Sequence, residues 1–383
     1  MKRVRAKTDT FKSISVQVLI VAVLSSLILA VMTGCLLHGQ NANVNVTRET
    51  SNKKASQVQE SPKTFDYVEL LDGKHWFVAQ SDRVLKTQDR GHTWIQAYRK
   101  KAATNAEEQV QGLSFINDQI GFLIVARNVL RTEDAGSTWT TLSSIGSEAE
   151  KISIRNCHFM DAMHGWAVGM IWQEGWVNDP KTPRYVGIAF ATQDGGYTWQ
   201  RQNLPEENRS GNVYWGLNDV VFQNAQLGWL VGDRGMIFYT QDGGNTWHRG
   251  TCADVDYQRV KFIADQFGWV TYKQGNSSWG ISITNDGGRS WKSLDDSFVY
   301  GTWPVSAVFV ERSYGFATSL KLFRTKSSGR QWEEVAGNAN IGESAYAFLG
   351  RARDRTLVAI GTKGDALTTL ISTNDGATWQ LDE

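Results

Sequence analysis

The chain has 383 residues, with 40 Lys and Arg against 39 Asp and Glu, 16 Trp, 5 Pro and 3 Cys. Residues 1–62 hold eight Lys/Arg and three Asp/Glu, a net of +5, so the remainder, with 32 against 36, carries −4. A mildly acidic body without a basic run excludes a nucleic-acid binder, and three cysteines do not make a disulfide framework.

The first residues are basic: Lys2, Arg3, Arg5, Lys7 and Lys12. An apolar stretch from Ile14 to Met32 follows and ends in Thr33-Gly34-Cys35. Basic, apolar and small residues in that order predict an export signal. The closing residues resemble the lipobox of bacterial lipoproteins. That resemblance implies cleavage after residue 34 and lipidation of Cys35, which would anchor the chain outside the cytoplasm. The alternative is an uncleaved helix of about 20 residues, long enough to span a bilayer. Residues 35–63 are rich in Asn, Gln, Ser, Thr and Lys and predict a flexible tether. Cys157 and Cys252 have no spacing that requires a disulfide, and the reading is two free thiols.

From residue 64 to 383 the chain repeats. The pattern Thr-x-Asp-x-Gly-x-Thr-Trp recurs with turn acids at Asp89, Asp134, Asp194, Asp242 and Asp286. A sixth copy has Ser327 in place of the acid, and a seventh, read through Asp375, is one residue short. The tryptophans are Trp94, Trp139, Trp199, Trp247, Trp291, Trp332 and Trp379. Asp before x-Gly between apolar runs predicts a tight turn locked by the carboxylate, and the Trp needs a place to bury its ring. Seven copies are a structural staple rather than a catalytic group. Ahead of each turn come an apolar strand ending in Phe, then Gly-Trp or Gly-Phe opening a second strand, then a third, with the first and last units looser. Turns 41–48 residues apart, with one gap of 60, predict an all-β, seven-bladed propeller of four-stranded blades. The last blade finishes just after Trp379, so each blade is expected to be whole.

These units resemble the BNR or Asp-box repeat in the form found in photosystem II stability and assembly factors. The resemblance covers about residues 64–383 and implies a non-catalytic assembly chaperone outside the cytoplasm. It specifies the fold far more sharply than the function. Sialidases carry similar turns but also an Arg-Ile-Pro or Arg-Val-Pro. None of the five prolines here has that context. Xyloglucanase-like relatives pair two propellers around a cleft, and this chain has residues for one.

No chemistry announces itself. The six histidines make no metal-ligand spacing, and no nucleophile elbow or phosphate loop is present. No metal and no cofactor is expected. The acids Glu174, Asp179, Glu206, Glu207 and Asp219 fall in predicted loops or at their edges and leave a glycosidase pair as the alternative. The face opposite the Asp turns carries the longer connections: 170–185 within blade 3 and 203–215 between blades 3 and 4. Candidate partner-binding residues on it are Arg155, Asn156, Trp172, Trp176, Arg184, Tyr214, Trp215, Asn218, Asp219, Tyr257, Arg259 and Trp303, because Trp, Tyr and Arg anchor most interfaces. The expected partner is a protein or peptide, including a membrane-protein segment, in assembly or stability of an envelope or photosystem-like complex. A glycan is the alternative partner, and nucleic acid is not expected.

Overall fold

A computed structural model describes residues 57–58, 61–62, 65–100, 109–173, 184–205, 215–275, 278–294, 306–319, 321–335, 345–363 and 366–382. Seven antiparallel sheets follow one another along the chain, each running from inner to outer strand in sequence order. The chain is a seven-bladed propeller. Blade 4 is representative, with strands Leu217–Phe222, Gly228–Gly232, Met236–Thr240 and His248–Arg249. The inner strands of the other blades are Tyr67–Leu70, Val110–Phe115, Ile152–Phe159, Asp256–Phe262, Ser306–Phe309 and Ala345–Arg351. Each blade is whole, and the ring closes without a shared sheet, through packing and a few polar contacts such as the Gly73 N–H to Asp354 Oδ2 at 2.9 Å. Leu70, Trp76 and Trp94 of blade 1 share one core with Ala352, Val358 and Ile360 of blade 7.

Second strands such as Gly228–Gly232 are buried at every residue. A blade has neighbours on both faces, so its strands lose the polar alternation of a one-sided sheet. An aromatic ladder joins the blades. Phe115 stacks on Phe77 at 3.9 Å, Phe159 on Phe122 at 3.5 Å, Phe222 on Trp166 at 3.5 Å and Phe262 on Trp229 at 3.6 Å. The turn Trp of the same blade meets each Phe edge-on, as Trp247 meets Phe222 at 6.0 Å and 89°. The glycine opening the second strand lies beneath this ring. A Cβ on Gly228 would stand 2.3 Å from Phe222 Cζ, and the same clash recurs at Gly121, Gly165, Gly268 and Gly315.

The five turns with an acid repeat one set of hydrogen bonds, as blade 4 shows. Thr240 Oγ1 accepts the Gly244 N–H at 2.9 Å and donates to Asp242 Oδ1 at 2.8 Å. Asp242 in turn accepts the Thr246 N–H at 2.9 Å and the Thr246 hydroxyl at 2.6 Å. In the sixth copy Ser327 Oγ accepts the Gln331 N–H at 2.9 Å in place of a carboxylate. The seventh copy corrects the sequence reading. It starts at Ser372 and is full length, because Ser372 Oγ accepts the Gly376 N–H at 2.8 Å. Asn374 takes the acid's place, accepting the Thr378 N–H at 3.0 Å and donating to the Thr378 hydroxyl at 2.8 Å. Asp375 is therefore not the turn acid. It sits where blade 4 has Gly243 and pairs with Arg351 at 2.9 Å and Arg355 at 2.5 Å.

A second correction concerns the tether. Gln57–Val58 forms a two-residue strand on the outer strand of blade 1, with Gln57 opposite Ile95 and Val58 opposite Trp94. That strand, Trp94–Arg99, is the longest outer strand among the described residues, and the added pair covers part of its edge. The apolar stretch 14–32 and Cys35 lie outside the described residues. Among the described residues no helix is long and apolar enough to cross a membrane.

Candidate functional site

The Asp turns join third to outer strands, so second-to-third and blade-to-blade connections occupy the opposite face. Inner strands enter there, and several enter through a β-bulge. The register shifts at Ile154/Asn156, Leu217/Asp219 and Tyr257/Arg259, which isolates Arg155, Asn218 and Gln258 at equivalent positions. Bulges re-aim side chains at the rims of β structures. Here they bring together residues of separate blades.

Arg155 is the hub. Its guanidinium donates to Asn218 Oδ1 at 2.5 Å, Asp233 Oδ2 at 2.9 Å and Met170 Sδ at 3.3 Å. Asn218 Nδ2 donates to Asp233 Oδ1 and to the Tyr257 carbonyl, both at 2.8 Å. Asp233 Oδ2 also accepts the Gly216 N–H at 3.0 Å. Across the ring axis, Tyr67 of blade 1 donates its hydroxyl to the Arg155 carbonyl at 2.5 Å. Arg259 of blade 5 lies over the Tyr67 ring at 5.6 Å and donates to the Asp66 carbonyl at 3.2 Å. Burial pushes the Tyr67 phenol up to about 12, opposed by Arg259, so it stays a donor at neutral pH.

Several candidates turn out to hold blades together. Asn156 is buried and donates to Asp219 Oδ1 at 2.6 Å, while Asp219 Oδ2 accepts the Val260 N–H of blade 5 at 2.8 Å. Ser306 clasps Leu349 N–H and C=O of the following blade in a similar way. Asn218, Trp215 and Tyr257 are buried too, Tyr257 completely. Trp215 covers Gly187, where a Cβ would meet its ring at 2.0 Å. These five are buried against neighbouring blades and shape the face from beneath. Arg155 and Arg259 are only partly buried, and Trp172 is 39% exposed, tilted against Tyr185 at 5.2 Å. Trp176, Tyr214, Trp303 and the Arg184 side chain lie outside the described residues, as do Glu174, Asp179, Glu206 and Glu207. The sequence reading missed Tyr67, Asp66 and Asp233. A Tyr in the first inner strand and an Asp in a two-residue turn carry no motif; packing of the next blade brings Asp233 to Arg155, and the ring brings Tyr67 there from blade 1.

Further along the inner strands stand Glu69 and His158, both partly buried, and the exposed Lys261. Burial drives Glu69 up to about 7, with Lys261 and Arg353 opposing and Asp219 adding. Burial lowers His158 to about 4, with Lys261 adding to the effect, so its ring is neutral at physiological pH. His158 Nε2 lies 3.1 Å from the Phe222 carbonyl and donates to it. Among the described residues no three His, Cys, Asp or Glu side chains are grouped to hold a metal. Cys157 and Cys252 are free thiols, and burial raises Cys157 far above the usual thiol range. Both oxygens of Asp219, the only described member of the acid set, are taken by hydrogen bonds inside the fold.

Residues 210–383 match the family of Photosynthesis system II assembly factor YCF48. Over the wider chain, the solved structure of YCF48 bound to D1 peptide superposes with a TM-score of 0.54 at 16% identity, covering 81% of this chain and 94% of that one. The chain is a BNR propeller resembling the photosystem II assembly factors. YCF48 from Cyanidioschyzon merolae is similar to this BNR propeller to the same degree, with a TM-score of 0.53 at 15% identity over 82% of this chain and 97% of that one. An ancestral GH74 enzyme gives a TM-score of 0.60 at 15% identity over 86% of this chain, but this BNR propeller spans only 47% of that enzyme. At these identities the structures speak for the fold. No curated protein sequence matches the chain.

Proposed function

We propose that this BNR propeller is a non-catalytic, membrane-tethered protein. It binds a peptide segment of a protein partner at the face opposite the Asp turns and acts in assembly or stability of a photosystem-like or envelope complex. The observation that carries the reading is the cross-ring cluster of Arg155, Arg259 and Tyr67. It offers partly exposed guanidinium N–H groups, and the same face carries the exposed indole of Trp172 at the end of the second strand of blade 3. Fixed guanidinium donors suit carboxylates and backbone carbonyls, and an indole supplies apolar area. That YCF48 has been solved with D1 peptide bound supports a peptide as the class of partner.

The test is capture from solubilised membranes with the full-length chain. The Arg259→Gln/Trp172→Ala double variant should fold normally and lose partner recovery. Equal recovery by both chains would overturn the assignment of this face. The Cys35→Ala variant should leave the membrane pellet, and its retention there would favour the transmembrane anchor. A glycan-binding role draws support only from the shape shared with the GH74 enzyme. Saturable binding of xyloglucan oligosaccharides, lost in the same double variant, would make the glycan the ligand.

A further inference from the structure

On the other face, a cavity of about 400 Å³ is lined by Ile263, Ala264, Phe267 and Val310, with Gln266, Asn285, Glu311, Arg312 and Arg351 around them. Its size falls within the range of small-molecule pockets, and it has their usual make-up of apolar walls with a few polar groups. Residues of blades 5, 6 and 7 meet here. A smaller cavity of about 200 Å³ lies between blades 4 and 5, against Trp229 and Tyr239.

Arg351 sets this place apart. It ends the inner strand of blade 7 where blades 2 to 6 have Phe. It is held by Asp375, which Arg355 also contacts, and Arg351 Nε is buried with no hydrogen-bond partner. Asp375 holds it from a left-handed backbone, φ +52°, a conformation that Asp tolerates at some cost. Arg312 adds a second guanidinium, whose Nε donates to Asn285 Oδ1 at 2.9 Å. Arg351, Arg355 and Arg312 against Asp375 and Glu311 make a net of +1 around the cavity. Glu311 is exposed and already accepts the Ser313 hydroxyl at 3.0 Å.

We propose that this cavity binds a carboxylate attached to a short apolar group. The apolar part sits on Ile263, Phe267 and Val310, and the carboxylate faces Arg312 and Arg351. A free organic acid and the terminal residue of a peptide share this chemistry. Binding to the full chain is read by chemical-shift titration with hexanoate, hexanol, hexylamine, N-acetyl-leucine and N-acetyl-leucine amide. Hexanoate and N-acetyl-leucine should saturate, and the alcohol, amine and amide should not. Tighter binding of N-acetyl-leucine than of hexanoate assigns the site to a chain terminus, and the reverse to a free acid. Arg312→Gln, an exposed change that leaves the fold intact, should weaken both by about tenfold, the value of one charged hydrogen bond. Ile263→Trp, which fills the cavity, should abolish both. Saturation by hexanol to the same degree, or unchanged affinity in both variants, overturns the proposal.

Discussion

In blade 4 the inner strand ends on Phe222, which lies flat against Trp166 and takes the edge of Trp247. In blade 7 the same place holds Arg351, and Trp379 meets Phe316 of the preceding blade directly, at 5.2 Å and 72°. The turn differs as well, with Asn374 for Asp242 and Asp375 for Gly243. Three features are common to both blades: the hydroxyl that accepts the glycine N–H, that second glycine, and the Trp. Each lacks a substitute. The second glycine has φ +95° at Gly244 and +84° at Gly376, and a Cβ on Gly376 would enter the Phe316 ring at 2.0 Å. The parts that vary are those for which another polar group can do the bonding. The repeat is therefore held by steric fit first and by its acid second.

The largest effect expected from this contrast is at the tryptophans. Trp247 and Trp379 are 5% and 6% exposed. Truncating a buried Trp costs about 3–5 kcal/mol. Trp247→Ala and Trp379→Ala should lose similar amounts in urea denaturation, although one ring sits on a Phe of its own blade and the other on the preceding blade. A much smaller loss at Trp379 would mean that blade 7 contributes little to ring closure, and the ladder would then be essential only in blades 2 to 5.

Next in size is the glycine beneath the ring. Gly228→Ala forces Phe222 to move, and overpacking of this kind costs about 1–3 kcal/mol. Gly275, with φ +64° and nothing within 4 Å, is the control, since alanine there meets backbone strain alone. Should the two variants melt together, the flat stacking of Phe on Gly would not be what requires the Gly-Trp pair.

These contrasts also explain what could be read in advance. Strand order, blade number and the burial of the Trp follow from spacing and apolar runs, which are local. The place of Asp375 was misread because Asp-Gly looks the same whichever residue closes the turn, and only the Ser372 hydroxyl fixes the register. Asn156 and Asp219 look like surface polar groups in sequence. They are buried because the next blade lies over them, and that fact comes from ring closure. Tyr67 reaches Arg155 across 88 positions, a distance at which no spacing carries a signal.

Two carboxylates sharpen the contrast between the inner strands and the turns. Glu69 titrates near 7, up from 4.5, because enclosure disfavours its charge. A raised carboxylate favours the fold while neutral, so its contribution is complete below about 4.5 and is lost as pH rises through about 7. Glu69→Gln removes that loss. The melting temperature of the native chain should fall more between about pH 5 and about pH 8.5 than that of the variant. Parallel curves would mean that Lys261 and Arg353 neutralise Glu69 throughout.

Asp242 runs the other way and should give the smallest effect. Hydrogen bonds from the Thr246 hydroxyl and N–H lower it from 3.8 to about 2, so its contribution is present above 3.8 and lost as pH falls through about 2. The carboxylate is near the surface, and solvent weakens what charge adds. Asp242→Ala leaves the Thr246 N–H to water and should cost about 1 kcal/mol. Asp242→Asn should cost less, because Asn374 makes the same bonds in blade 7 with its amide turned toward the Thr378 hydroxyl. Below about pH 2 the native chain and the Asn variant should converge, since both then present an uncharged side chain to the same turn. Equal losses for Ala and Asn at neutral pH would show that the charge, and not the acceptor, is what the turn uses. Blade 7 would then be held at its turn by the Arg351–Asp375 pair instead.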